Sequence, residues 1–176
     1  ALAFAFFNAT VAVTLGILTA AVGVYQLVQN ETGNTELATF SAIAVIMSLG
    51  GAFLYFKFAA AAATGAVAAG WLAFVGMILA STGLMIGGVA ALWTFIKGTG
   101  DTFVDWLFGI LGAILIFASL VIVGVSAIPA AIIAAIALLI ATIVKYWDEI
   151  TGFLGDALTF IFEWGSAIFF GILGGL

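Results

Sequence analysis

The chain has 176 residues, 66% of them hydrophobic and 6% charged, with a net charge of −5. A soluble domain carries roughly 25% charged residues, so three Lys and eight acidic residues cannot solvate this particle. Its surface must lie against lipid, against other copies of itself or inside another protein shell.

The absence of Cys and His removes disulfides, thiolate chemistry, His-ligated metals and the usual general base. Three Lys and no Arg argue against a nucleic-acid surface, whose affinity comes from clustered basic residues. No cofactor is implied, and no nucleophile, base or Gly-rich loop points to an enzyme. The expected fold class is all-α, because the long apolar runs do not alternate as transmembrane strands must and Ala59–Ala63 favours helix.

Taken in chain order, residues 1–57 predict a helical hairpin. Its first arm, Ala1–Val28, closes in Gln29-Asn30-Glu31-Thr32-Gly33-Asn34-Thr35-Glu36, the most polar stretch of the chain. The second arm, Leu37–Phe56, is about twenty residues long, one bilayer crossing at 1.5 Å per residue. Residues 58–97 form an apolar helix or hairpin. As one helix the segment Phe58–Ile96 would reach about 58 Å, nearly twice a hydrocarbon core, so a turn near Ser81-Thr82-Gly83 is expected.

A break follows over 98–105, and then a second run, 106–147, reads as a hairpin interrupted at Pro129. The only proline in the chain, Pro129 suits the start of a helix, with Ser126 or Ile128 near the cap. Two hairpins would place Lys57, Lys97 and Lys145 on one side of the membrane and Glu31–Glu36 on the other. The last block, 151–176, is an amphipathic helix: Asp156, Thr159, Glu163 and Ser166 recur at three and four along one face. Its acidic face weakens any case for anionic lipid. Both chain ends read as cut from a longer protein.

Aromatic rings sit beside charges where the apolar blocks end: Trp93 near Lys97, Trp106 beside Asp105, Lys145-Tyr146-Trp147, and Trp164 beside Glu163. An indole with one dry and one wet edge settles at headgroup level, so these residues are expected membrane-interface anchors. Gly83 and Gly87, and Gly171 and Gly175, stand at the four-residue spacing that lets helices approach closely in lipid. The triplets Asn8-Ala9-Thr10 and Asn30-Glu31-Thr32 match a glycosylation acceptor by chance.

The run Gly124-Val-Ser-Ala-Ile-Pro-Ala-Ala-Ile-Ile-Ala-Ala-Ile, continuing to Lys145-Tyr-Trp-Asp-Glu-Ile150, resembles the hydrophobic region of tape measure proteins of tailed phages and related viruses. The resemblance covers residues 124–171 and lies in composition and order. It implies a structural virion protein held in the tail tube or tail tip, with tube or tip proteins and copies of itself as partners. On release, such a segment enters host membrane lipid and helps form a path for DNA, which it touches only weakly and non-specifically. The long helical ruler of the family is missing from this stretch. Two alternatives share the hydrophobicity: a polytopic channel or transporter, which calls for polar groups at midspan, and a holin-like pore former.

Overall fold

The computed structural model describes the backbone of residues 2–98 and 103–174, and the side chains of 10–98, 103–164 and 166. All of the regular structure there is helical: α1 (Leu2–Thr32), α2 (Thr35–Ala63), α3 (Val67–Lys97), α4 (Phe103–Ile122), α5 (Ala127–Lys145) and α6 (Trp147–Gly174). No strand occurs among the described residues. Packing divides the chain into two units, residues 1–141 and residues 142–176, and each is described by itself.

In the first unit the chain reverses at glycines. Gly33, Gly65 and Gly124 have φ of 64°, 87° and 94°, a left-handed conformation costing an L side chain about 1–2 kcal/mol. At Gly33 the amide donates to the Gln29 carbonyl, and Asn34 then caps α2 by accepting from the Leu37 amide at 2.9 Å. At Gly65 and Gly124 two bonds close the preceding helix. Ala66 N–H reaches the Ala61 carbonyl and Gly65 N–H that of Ala62; Val125 and Gly124 repeat the pattern on Leu120 and Val121. These are Schellman ends, which satisfy carbonyls that a helix terminus leaves open.

Two sequence expectations are corrected here. Helix α3 passes through Ser81-Thr82-Gly83 unbroken, and the reversal lies at Thr64-Gly65-Ala66 instead. The alanine run extends α2 to Ala63, and Gly65 then takes the positive φ that a Schellman end requires. Ser81 and Thr82 sustain the helix: the Thr82 hydroxyl donates to the Ile78 carbonyl, and Ser81 donates across to the Ser119 carbonyl of α4 at 3.0 Å.

Moving the turn also moves the charges. Helices α2 and α3 are antiparallel, so Leu37 and Phe40 lie beside Ala90 and Trp93, while Ala62 lies by Gly70. Glu31–Glu36 therefore shares an end of the bundle with Lys97, and Lys57 belongs to the opposite end. The lysines of this unit give no one-sided charge signal.

Helix α3 is central, packed on α2 and α4; α1 packs on α2 and touches α3. Small residues set these approaches. A Cβ on Gly76 would stand 2.5 Å from the Tyr55 amide nitrogen and 2.7 Å from the Gly51 carbonyl. One on Gly88 would stand 2.9 Å from the Gly112 carbonyl, and one on Gly112 2.8 Å from that of Gly88. Backbones meet at both crossings, as expected where lipid tails are as apolar as the side chains and association rests on close packing. Leu138 of α5 covers Gly109 of α4, and Ala130, Ala134 and Ala141 form the buried stripe of α5.

In the second unit α5 ends at Lys145 and α6 begins at Trp147, four residues before the expected 151. Pro129, in the first unit, lies in the first turn of α5, where the Ala130 amide donates to the Ser126 carbonyl and the missing proline N–H is no loss.

Candidate functional site

With no metal-ligating cluster among the described residues, the chemically distinctive feature is the outer surface. Five described helices are long and apolar enough to cross a bilayer, and between 11% and 33% of each span is buried. The exposed remainder is a coat of Leu, Ile, Val and Phe that water cannot solvate.

Aromatic and charged groups bound that coat. Trp71 and Trp93 are both substantially exposed on α3. Their separation of twenty-two positions spans about 33 Å of helix, close to the roughly 30 Å hydrocarbon thickness. At the Trp93 end the Lys97 ammonium lies 5.5 Å from the indole centroid, and Trp106 rests on Phe95 with ring centroids 5.2 Å apart. At the Trp71 end, Phe74 meets Trp71 edge-on at 6.1 Å. The exposed Lys57 holds its ammonium 5.3 Å from the Phe58 ring centroid and 5.7 Å from that of Phe53, within cation–π reach of both. Trp71 was missed in the sequence because no charge neighbours it, although the helical distance to Trp93 could have found it.

The other expected anchors belong to the second unit. Lys145 lies 5.9 Å from the Tyr146 ring, and Trp147 and Trp164 are more than half exposed. Asp156, Thr159, Glu163 and Ser166 are all exposed on α6. Gly152 and Gly155 share their sector, with open space where a Cβ would stand.

Among the expected packing glycines, Gly83 sits at the α2–α3 crossing against Ser48 and Ala44. Gly87 has ordinary room: a Cβ added there would stand 3.4 Å from Ala44 Cβ. Gly171 lies within α6 and Gly175 outside the described residues. Gly51, Gly76, Gly88 and Gly112 are similarly tight and were not singled out in the sequence, because twenty-two glycines hide the few that matter.

Asp105 is the buried charged side chain among the described residues. It stands in the first turn of α4, where the helix dipole favours an anion, and its carboxylate fills the space over Gly98. That is the bundle end, not midspan.

Together the five apolar spans and the aromatic belts define a polytopic, all-helical, membrane-associated protein. No protein family, curated protein or solved structure matches the chain.

Proposed function

We propose that this chain is the membrane-inserting segment of a tail tape measure protein, carried in a viral tail and released into the host envelope to help open a path for DNA. The reading rests on one observation above all. The stretch that resembles such proteins, 124–171, coincides with α5 and most of α6, helices that, like α1, leave most of their apolar surface unpartnered. Only 17% of the α5 span is buried, and Phe153, Leu158, Ile161, Phe162 and Trp164 of α6 are each more than half exposed.

A segment of this kind needs covering by neighbouring copies and a tube wall before release, and by lipid afterwards. Few basic groups would leave DNA free to slide. A channel or transporter would instead call for ionisable groups at midspan, and among the described residues the buried one is Asp105, at a helix start.

Two measurements test the proposal. Reconstituted into phosphatidylcholine vesicles, the chain is expected to release dextrans as broad as duplex DNA; release limited to one class of small solute would overturn it in favour of a transporter. Extending the coding sequence upstream is expected to reveal several hundred residues of coiled-coil-like helix. An initiator Met directly before Ala1 would refute the assignment.

A further inference from the structure

Helices α1 and α4 do not pack on each other, and a cavity of about 330 Å³ lies between them. Its floor is the α2–α3 pair at Ala44, Gly83 and Gly87, and its walls include Val24, Leu111 and Leu115. Gly87 leaves room on the floor, where a Cβ would make only ordinary contact with Ala44 and Leu115, whereas at Gly83 the floor is closed by the α2 backbone. Val28 and Phe108, both deeply buried, close one end, whereas Leu49 and Leu111 at the rim are exposed on the lipid-facing coat. The geometry points to a site for one hydrocarbon tail of a membrane lipid. This inference is independent of any role in a virion.

Three features select that occupant. The lining is apolar apart from two hydroxyls. Ser41 already donates to the Leu37 carbonyl at 2.8 Å and Ser48 to the Ala44 carbonyl at 2.7 Å. Water, which needs two to four polar partners, is therefore disfavoured, as is any ligand with a polar group to satisfy there.

The shape is the second feature. From Ala91 to Gly83 the groove follows about 12 Å of helix, about two turns, whereas a membrane-crossing helix from a second copy would need about 30 Å of groove to seat along its length. The third is direction. The groove runs along helices that cross the bilayer, parallel to lipid tails, and its rim is continuous with the lipid-facing surface.

The test uses the full chain in phosphatidylcholine vesicles doped with phosphatidylcholine that carries a diazirine midway along one acyl chain. After photolysis, adducts mapped by mass spectrometry are expected to concentrate on Val24, Leu84 and Leu115, above those on outward-facing Val22. Ala20 is exposed at the groove mouth, so Ala20→Phe plugs the groove without entering the core. It is expected to lower groove labelling about tenfold, equivalent to about 1.4 kcal/mol, while Leu27→Phe on the outer face of α1 leaves it unchanged. Adducts spread evenly over the coat, or groove labelling that Ala20→Phe does not reduce, would overturn the assignment. So would cross-links from a photoreactive group at Leu115 to a second copy of the chain.

Discussion

Gly50 and Gly51 are neighbours on α2, and substituting each by Ala separates helix propensity from packing. A Cβ on Gly50 meets nothing within 4 Å, whereas one on Gly51 would stand 2.5 Å from the Gly76 carbonyl oxygen and 2.9 Å from Ala80 Cα, with the Ala80 amide nitrogen closer still. All three obstacles are backbone atoms, so no rotamer change relieves them. Reaching ordinary contact requires α2 and α3 to part by about 1 Å, which weakens dispersion along the crossing. Overpacking of this kind costs about 1–3 kcal/mol. Replacing a mid-helix glycine by Ala gains about 0.5–1 kcal/mol wherever space allows.

Gly50→Ala is therefore expected to raise the unfolding free energy by about 0.5–1 kcal/mol, and Gly51→Ala to lower it by up to about 2 kcal/mol after the propensity gain is subtracted. Reversible unfolding in mixed micelles titrated with sodium dodecyl sulfate, followed by far-ultraviolet circular dichroism, measures both. If the two variants shift the midpoint in the same direction by similar amounts, the close α2–α3 approach is not what holds these helices together.

Ser81→Ala removes the hydrogen bond between α3 and α4 and is expected to cost about 0.6 kcal/mol in the same assay, far less than Gly88→Leu, which would drive a side chain into Ile116 and the α4 backbone. Gly65→Ala, forced to a φ of 87°, is expected to cost about 1–2 kcal/mol, and a neutral result would argue against the Schellman reversal there. Variants keeping only Trp71 or only Trp93 should both be quenched best by lipids brominated near the headgroup. Strong quenching of either by bromines near the tail ends would refute the 33 Å belt, a length taken from about 1.5 Å per residue.

Helix as the sole structural class was legible because the apolar runs are long and uninterrupted by alternation. The first reversal was legible too, since Gly33-Asn34 stands among the most polar residues of the chain. The second was not. Thr64-Gly65-Ala66 and Ser81-Thr82-Gly83 have nearly the same chemistry, and either could end a helix. Midway placement favoured Ser81, on the assumption that two arms should be equal. What decides between them is tertiary: Gly83 without a side chain fits Ser48 and Ala44, and Ser81 finds the Ser119 carbonyl. A glycine used for packing and a glycine used for turning look alike until the partner helix is present. The start of α6 was placed too late for a related reason: the Trp-Asp-Glu that reads as an interfacial stop is also a good first helical turn, with acids at the positive end of the dipole.

The distribution of burial bears on how such a chain can change surroundings. Helices α2, α3 and α4 are held by backbone-close crossings at Gly51–Gly76 and Gly88–Gly112, which depend on shape complementarity. They do not require water to be expelled, so they persist whether the outer coat faces lipid or protein. The α5 span and α6 lack such crossings among the described residues, and nearly all their apolar area is available to an external partner. Exchanging a protein wall for lipid around them replaces one apolar environment by another, so the transfer free energy that drives ordinary hydrophobic burial nearly cancels. In the proposed function, a bundle held by glycine contacts would carry these helices from a protein shell into lipid without unfolding.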